Sequence, residues 1–285
     1  MFVNRKWLSS AVDFVRRGLQ ANEPKGFETI ILDFEGGKIS GGSRESWHEF
    51  KFQAGNLKVT NWKGGPIRVD GLKLLQILNG LPGQIETVVV EVESNSLIIR
   101  GSSSGLTEFH LPIESDECPD NLIAPAPGIS VELTGLNFRE LVAGTAWAAS
   151  DAGAFSAMRG VAVFLEELGE RQGAEFVSEN DNCRVSFVAT DGRRLALAAT
   201  GGISSKALGP DSIGLLMVSR IQKIMGFIEP KSIVRISFSK QTGTIRIMEK
   251  ENSVENFMVS YLLPTGKFPD FRKVEPTGKP GRSEE

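Results

Sequence analysis

The residues best suited to bind a partner or a substrate lie in one string that runs from Phe187 to Ala198. An apolar run stops there at Thr190-Asp191-Gly192, two arginines follow, and small and apolar residues then resume. Asp-Gly between two apolar runs predicts a hairpin turn, because glycine tolerates positive φ and aspartate accepts hydrogen bonds from the local backbone. On spacing alone, Arg193 and Arg194 are solvated charges at the edge of that hairpin.

A second group of charged residues lies on a helix predicted over residues 4–20. Its apolar residues recur at helical spacing and form one stripe, which consists of Leu8, Val12, Val15 and Leu19. Off this stripe lie Arg5, Lys6, Arg16 and Arg17. Asp13 is the only acid in the segment, so the outer face of the helix is positive. Such a face is either simply solvated or turned toward an anion, and both interpretations stay open.

The chain has little that could form a metal, nucleotide or redox site. Its two cysteines, Cys118 and Cys183, are far apart, which excludes a thiolate zinc site and argues against a disulfide framework. The two histidines, His48 and His110, lie in alternating segments and are interpreted as strand side chains. No glycine cluster has the Gly-x-x-x-x-Gly-Lys spacing of a phosphate-binding loop. We therefore expect no metal and no cofactor.

A hydrolase is the main catalytic alternative. It would have to use Asp191 with Asp151, or the acids within residues 178–181. These acids fall at predicted turns, and no His, Cys or Ser has a spacing that would make it their partner. The sequence therefore predicts a protein that is not an enzyme and has no catalytic residues.

Length and charge set further limits. A chain of 285 residues is long enough for two domains, each with its own core. No apolar run is long enough to span a bilayer, and the N-terminus has no segment of signal-peptide length, so we expect a cytoplasmic protein without a membrane partner. The net charge of −3 argues against a generic nucleic-acid coat protein, but it allows a DNA partner if the basic residues share one surface.

The order of predicted elements repeats along the chain. Each half reads as a helix, several strands, a second helix and three more strands, with an offset of about 150 residues. Asp70 is the predicted cap of the second helix, with Leu72, Leu75 and Leu78 inside. Thr134 caps the third helix, and Ser219 with Gln222 forms a predicted capping box on the fourth. On this fourth helix, Arg220 and Lys223 are expected to lie off the apolar stripe.

These patterns predict an α+β fold in which helices cover one face of a sheet in each repeat. The expected organisation is an N-terminal domain over 1–120, a linker over 121–127 and a second domain over 128–266. The remaining residues, 267–285, form a junction segment and a polar tail rich in Gly and Pro that is predicted to be disordered.

Two strings resemble a known family. Ala189-Thr-Asp-Gly-Arg-Arg-Leu-Ala196 is similar to the Ala-Thr-Asp-Gly-His-Arg-Leu-Ala signature of the bacterial sliding clamp, the beta subunit of the DNA polymerase III holoenzyme. Gly266-Lys-Phe-Pro-Asp-Phe-Arg-Lys-Val274 resembles that family's Gly-Arg-Phe-Pro-Asp-Tyr-x-x-Val. The resemblance runs in register from about residue 2 to residue 276, and its Thr-Asp-Gly string is highly specific.

The resemblance implies a clamp fold in which head-to-tail subunits close into a ring of six domains around duplex DNA. Helices would line the hole, antiparallel sheets would form the rim, and the ring would tether the replicative DNA polymerase. Contacts to DNA would be to phosphates, independent of sequence and weakened by salt. The residues expected to make them are Arg5, Lys6, Arg16, Arg17, Lys25, Lys73, Arg139, Arg220 and Lys223.

Partners of the family insert a short peptide into a pocket beside the third domain. Matched residue by residue, the wall from the second domain would be Met158, Thr190, Gly192, Arg193, Arg194 and Leu195, and the junction would add Pro269, Arg272, Lys273 and Val274. The apolar members suit a hydrophobic anchor, and the arginines suit a carboxylate. Arg193 stands where the family has histidine, which affects the expected peptide preference.

The family has three domains, and the second domain is followed here by only a short tail. The expected partners are double-stranded DNA, the replicative polymerase, the clamp loader, clamp-binding-motif peptides and further copies of the chain. Three copies of two domains would total six, which favours a homotrimer; a dimer is expected if a third domain is missing from this sequence. The alternative is a truncated clamp-like protein that binds clamp partners or the clamp loader without forming a ring on DNA.

Overall fold

The computed structural model describes residues 1–19, 29–53, 65–101, 107–115, 123, 129–150, 156–167, 183–201, 212–249, 255–264 and 266–271. Within them the chain forms two repeats of the same order of elements. The first repeat contains β1 (Phe2–Asn4), α1 (Arg5–Arg16), β2 (Thr29–Asp33), β3 (Lys38–Gly42), β4 (Ser46–Lys51), β5 (Ile67–Asp70), α2 (Gly71–Gly80), β6 (Thr87–Glu93), β7 (Ser96–Gly101) and β8 (Glu108–Pro112). The predicted α+β class is confirmed.

The second repeat contains β9 (Ile129–Thr134), α3 (Gly135–Thr145), β10 (Gly160–Glu167), β11 (Cys183–Thr190), β12 (Leu195–Gly201), β13 (Ser212–Met217), α4 (Val218–Ile224), β14 (Ile233–Phe238), β15 (Thr242–Met248) and β16 (Asn256–Leu262). Short 3-10 turns extend α3 over Ala146–Ala148 and α4 over Met225–Phe227. Each element of the first repeat therefore has a counterpart in the second. The predicted domain boundaries stay a prediction, because most of the 116–128 segment lies outside the described residues.

The two repeats share one sheet topology. In the first, the strands are ordered β1-β6-β7-β8 and β5-β2-β3-β4; in the second, the matching orders are β9-β14-β15-β16 and β13-β10-β11-β12. Strands β4 and β16 pair antiparallel and join half of each repeat into one eight-stranded sheet, β5-β2-β3-β4-β16-β15-β14-β9. Strands β8 and β12 end the two remaining four-stranded sheets.

Side-chain caps position three of the four helices. The side chains of Asn4, Asp70 and Thr134 each accept hydrogen bonds from backbone N–H groups in the first turn that follows, which satisfies donors that a helix start leaves unpaired. The caps predicted at Asp70 and Thr134 are confirmed. The first helix is shorter than predicted, because it begins after its Asn4 cap and ends at Arg16.

Three expectations for α2 and α4 were wrong. Leu72 is 50% exposed, because the buried face of α2 runs through Leu74, Leu75 and Leu78 instead. Ser219 does not cap α4, which begins one residue earlier and has no side-chain cap. Arg220 is buried rather than off the apolar stripe, because α4 packs at the junction, where Glu45 of the first repeat meets the guanidinium.

The main core lies between the helices and one face of the sheets. It contains apolar residues of both repeats, among them Leu8, Val12, Phe138 and Val161. A smaller cluster on the opposite face of the β12-β11-β10-β13 sheet contains Ala162, Phe164, Val188, Leu215 and Phe271. No helix in the described part of the chain has the length and apolar content that a bilayer span requires.

Candidate functional site

Four basic residues meet where the helices of the two repeats touch. Arg16 and Arg17 end α1, and Arg220 and Lys223 lie on α4. Arg17 Nη1 donates to the Lys223 carbonyl at 3.1 Å, and its guanidinium lies 5.0 Å from the centre of the Phe227 ring. We call these four residues the junction cluster. Residues that are more than 200 positions apart in sequence thus form one positive surface on the helical side.

Two carboxylates form ion pairs with the junction cluster in the described part of the chain. Asp13 accepts from Arg16 at 3.1 Å and from Arg17 at 2.7 Å, and Glu45 accepts from Arg220 at 3.0 Å. Partial burial would by itself raise the pKa of Asp13, but the hydrogen bonds from Arg17 and Arg16 outweigh it and lower that pKa. Asp13 is therefore ionised at neutral pH and neutralises one of its two arginines.

The pKa of Lys223 reflects the burial of this side chain and the positive charge of its neighbour. Its pKa is lowered, first by partial burial of the ammonium and then by repulsion from the Arg220 guanidinium. The Nε of Arg16 is buried and has no hydrogen-bond partner within the described residues. A phosphate beside the partly exposed side chains of Arg16 and Lys223 would offset the repulsion between the cations.

A second basic group lies beside a cavity of about 450 Å³ between α1, α2 and Phe227. Arg5 Nη1 donates to the carbonyls of Leu81 and Pro82, at 2.6 and 3.1 Å, and so binds the C-terminal end of α2. Lys6 is exposed at the same cavity. Arg5 thus has a structural contact, whereas Lys6 presents its ammonium to solvent.

The other residues predicted to contact DNA are spread more widely. Lys73 is exposed on α2 and lies 3.3 Å from Asp70, an ion pair that solvent screens. Arg139 is exposed on α3, and its Nη1 donates to the Ile228 carbonyl at 3.3 Å. Lys25 lies outside the described residues. The structure therefore brings together the junction cluster, with Arg5 and Lys6 nearby on α1.

The Thr190–Leu195 segment forms the predicted hairpin turn between β11 and β12. Gly192 has φ +88°, the left-handed conformation that favours glycine. Asp191 Oδ1 accepts from the backbone N–H groups of Arg193 and Arg194, at 2.9 and 2.7 Å. Thr190 Oγ1 donates to the Arg194 carbonyl at 2.6 Å. The specific Thr-Asp-Gly string therefore holds the turn rigid through its own side chains.

Charge fixes the same turn. The backbone hydrogen bonds from Arg194 and Arg193, followed by the Arg194 side chain, hold the pKa of Asp191 well below its usual range. Arg194 donates from Nε and Nη2 to Asp191 Oδ2, at 2.9 and 2.7 Å. Asp191 consequently orients the guanidinium and is not a proton donor. This geometry argues against Asp191 as a proton-exchanging group of a hydrolase, whereas Asp151 and the acids within residues 178–181 lie outside the described residues.

An exposed tryptophan extends the surface around this turn, and sequence reasoning missed it. Trp147 is 57% exposed, and the guanidinium carbon of Arg194 lies 5.8 Å from the centre of its indole ring. No motif surrounds Trp147, and it follows α3 by two residues. Its only sequence signal is a large aromatic residue just beyond the end of a helical stripe.

The other predicted pocket residues lie near the turn where the structure describes them. Met158 lies beside the turn, since its terminal methyl carbon is 3.9 Å from the position that a Cβ atom of Gly192 would occupy. Leu195 packs with Phe268 against the smaller core cluster, and Pro269 is exposed in the same segment. Arg272, Lys273 and Val274 lie outside the described residues. The turn, Met158 and the 266–271 segment thus form one continuous surface.

The described residues contain no group of three His, Cys, Asp or Glu side chains that could hold a metal ion. The basic side chains of the junction cluster and of the Thr190–Leu195 turn are instead suited to bind anions and polar backbone groups. Burial lowers the pKa of His48 to about 3, so its side chain is neutral at physiological pH and does not act as a general acid.

Several solved structures share this architecture. Over 98% of this chain and 68% of its own length, the DNA polymerase III subunit beta of Pseudomonas aeruginosa superposes with a TM-score of 0.75 at 19% identity. The Helicobacter pylori beta clamp bound to a DNA ligase peptide matches 98% of this chain and 70% of its own length, with a TM-score of 0.73 at 17% identity. The chain has the fold of the bacterial DNA sliding clamps.

The sliding clamp of Bacillus subtilis extends this likeness. It matches 97% of this chain and 67% of its own length, with a TM-score of 0.70 at 17% identity. Neither a family model nor a curated protein sequence matches the chain. The clamp fold is therefore recognised by shape, and at these identities the likeness establishes the fold alone.

Proposed function

We propose that the protein is a DNA sliding clamp, which encircles duplex DNA without sequence specificity and tethers the replicative DNA polymerase and other partners. The observation that carries this proposal is the junction cluster, in which helices of both repeats of a clamp fold bring four cations together at the helical side. The clamp is a non-catalytic accessory protein that requires no cofactor. Its place of action is the cytoplasm.

Two classes of basic residue contribute to DNA binding in this proposal. Arg5, Arg17, Arg139 and Arg220 make structural contacts and add positive potential at the helical face. The side chains that reach phosphates are Lys6, Arg16, Lys73 and Lys223, with Lys25 as a further candidate. Because such contacts release counterions, each of them steepens the dependence of DNA affinity on salt.

Ring formation is supported by two strands at the ends of their sheets that are equivalent to the pair joining the two repeats. Inside the chain, β4 pairs with β16, and the counterparts of these two strands are β12 and β8. Both counterparts end their sheets, so a second copy can pair its β8 with β12 of the first in the same manner. Because the two edges differ, the contact is head-to-tail and repeats until a ring closes.

The strand pairings within each repeat show which residues are equivalent and so predict the register of this contact. Arg100 pairs with Glu108 as Arg246 pairs with Met258, so Glu108 is equivalent to Met258. Ser40 pairs with Glu49 as Val188 pairs with Leu197, so Leu197 is equivalent to Glu49. Since Met258 lies opposite Glu49 in the internal junction, Glu108 of one copy lies opposite Leu197 of the next. Three copies supply six repeats, and we propose a homotrimer; a third domain beyond this sequence would make a dimer instead.

The surface around the Thr190–Leu195 turn is proposed to bind clamp-binding-motif peptides of the polymerase, the clamp loader and other partners. Leu195 and Met158 supply apolar contacts, while Arg193, exposed, and Arg194 suit a carboxylate. A beta clamp of this fold is known with a DNA ligase peptide. Arg272, Lys273 and Val274 are proposed to complete this wall.

Retention on circular DNA tests the ring. The protein, loaded onto a nicked circular duplex, is expected to stay with the DNA during gel filtration and to leave when the circle is linearised. Loss from circular and linear DNA alike, together with binding of a polymerase tail peptide, would favour a clamp-like protein that engages partners without encircling DNA. A strictly monomeric mass in solution would contradict the ring.

Charge variants test the DNA-facing surface. The double variant Lys6→Ala/Lys223→Ala is expected to lower the slope of log affinity against log salt by roughly two, because two phosphate contacts are removed. Lys51→Ala/Lys240→Ala removes the same charge from a sheet strand and a strand turn and serves as the control. Equal slopes for the two variants would contradict the assignment.

A further inference from the structure

A cavity of about 540 Å³ lies where the first repeat meets the start of α4. Its walls come from Glu45 in the β3–β4 turn, from the first residues of α4 and from the end of β16. The lining residues used below are Glu45, Ser150, Arg159, Met217, Leu262 and Leu263. We call this space the junction cavity. It shares no lining residue with the surface around Thr190–Leu195, and its Met217 and Leu263 pack against the same small core cluster as Leu195.

The internal repeat shows which turn of the second repeat is equivalent to the turn that lines the junction cavity. Gly41 pairs with His48 in the first repeat as Ala189 pairs with Ala196 in the second. The β3–β4 turn is therefore the counterpart of the β11–β12 turn, and Glu45 occupies the position of Arg193. At the β3–β4 turn, the second repeat closes the space opposite the turn, so one chain supplies both walls.

The apolar side of the cavity is open to a ligand. The β4·β16 ladder ends beside it, where the Leu262 N–H donates to the Glu45 carbonyl at 3.0 Å. The Leu262 side chain nevertheless stays 46% exposed at the cavity, next to Leu263 and Met217. A large aliphatic side chain left in water at the mouth of a concave site is a typical contact for an apolar anchor residue.

The charges of the cavity determine the chemistry of that ligand. Arg220 is already paired with Glu45 at 3.0 Å. Arg159 is exposed, and no carboxylate lies within ion-pair distance of it in the described ranges. Among its described lining residues, the cavity therefore holds one positive charge in excess, beside the hydroxyl of Ser150. A carboxylate next to the apolar anchor would complement Arg159.

We propose that the junction cavity binds a short extended peptide of a partner protein, in which an apolar side chain is adjacent to an acidic residue. The apolar side chain packs on Leu262, Leu263 and Met217, and the carboxylate pairs with Arg159. This inference rests on the proposed function, since a clamp acts by holding partners. It adds a second attachment site that needs neither another copy nor another domain to complete it.

A displayed library of random hexapeptides, selected on the full chain, tests the proposal. The selected peptides are expected to carry an apolar residue beside Asp or Glu. Leu262→Glu should weaken their binding by about tenfold or more, as expected for loss of a central apolar contact. Arg159→Gln should weaken peptides with the acid more than peptides in which Asn or Gln replaces it.

Matched variants make the result specific. Leu72→Glu makes the same substitution at another half-exposed leucine, on α2, and should leave peptide binding unchanged. Selected peptides that lose affinity with Leu195→Glu but not with Leu262→Glu would overturn the proposal, and so would a selection without any enriched peptide. Thermal unfolding of each variant checks that the fold is intact.

The two proposals fail separately. Retention on circular DNA without peptide binding at the junction cavity overturns this inference and leaves the clamp function standing. Peptide binding that depends on Leu262 in a protein never retained on circular DNA overturns the clamp function and supports the cavity.

Discussion

Strands β4 and β12 are the same element in two environments. β4 lies inside the eight-stranded sheet and pairs with β16, whereas β12 ends its sheet in the described part of the chain. Their residues differ accordingly. The inner face of β4 carries His48 and Phe50, and the matching residues of β12 are Ala196 and Ala198. Large buried side chains mark the edge that is permanently covered, and small ones mark the edge that is open.

The helices beside these strands differ in the same way. Counting from their N-caps, Asn4 and Thr134, Phe14 on α1 corresponds to Gly144 on α3, and Arg17 to Trp147. Phe14 is buried at the junction, while Trp147 is exposed. At these positions the two repeats therefore differ according to whether another repeat covers them.

The largest effect is expected when the buried junction is opened. The Phe14 ring lies 5.1 Å from the rings of His48 and Phe227 and 4.7 Å from that of Phe257. Phe14→Ala introduces, at the junction, a small residue like the one that α3 has at its open edge. It should lower the free energy of unfolding in urea by about 3–5 kcal/mol, because it leaves a cavity among aromatic rings.

The control for that experiment is Phe2→Ala in β1. Phe2 is 49% exposed, so the same chemical change should cost under about 1 kcal/mol. Similar losses for the two variants would mean that the junction is not a packed core, and the contrast between covered and open edges would fail.

A smaller effect comes from pH, through the buried histidine of β4. Burial lowers the pKa of His48 from 6.5 to about 3, and the nearby Lys223, Arg220 and Arg17 lower it further than burial alone. Below pH 6.5, His48 is therefore protonated in the unfolded chain but stays neutral in the folded chain. Stability is fully present above pH 6.5 and falls as pH drops, by about 2 kcal/mol between pH 6.5 and 5.

Substitution isolates this contribution. His48→Gln keeps a donor for the Phe14 carbonyl, which His48 Nδ1 contacts at 2.9 Å, but it cannot titrate. Denaturation measured from pH 7 to pH 5 should show a shallower loss for this variant. An unchanged slope in His48→Gln would place the titration elsewhere.

The comparison also shows what sequence alone can predict. The caps at Asp70 and Thr134 and the turn at Asp191-Gly192 depend on neighbours within a few residues, and the structure confirms them. Burial of Arg220 could not be predicted, because its partner Glu45 is 175 residues away in sequence. The β4·β16 pairing has the same cause. Caps and turns that depend on nearby residues could be predicted from the sequence, and contacts between the repeats could not.

The candidate site divides along the same line. The string that resembles the clamp signature forms a rigid turn through its own side chains, so its order was predictable. The junction cluster combines residues that the sequence suggested as separate faces of two helices. Trp147 had only a weak sequence signal and the junction cavity had none, because each depends on how distant elements pack.

The smallest expected effect tests the open edge itself. In the proposed head-to-tail contact, Leu197, which is 39% exposed, lies opposite Glu108 of the next copy. The Arg100 side chain, followed by that of His110, lowers the pKa of Glu108, so this carboxylate is charged at neutral pH. Leu197→Lys should therefore favour association over Leu197→Glu by roughly two- to fivefold in dissociation constant, as cross-strand charge pairs do.

Sedimentation equilibrium of the two variants at low and high salt measures this difference. Because the charges are exposed, the preference for Lys should shrink as salt rises. The pair Leu72→Lys and Leu72→Glu makes the same change on α2 and should show no preference. A preference for Glu at position 197 would mean that another register, or a different partner, covers β12, since only the register inherited from the internal junction places Glu108 there.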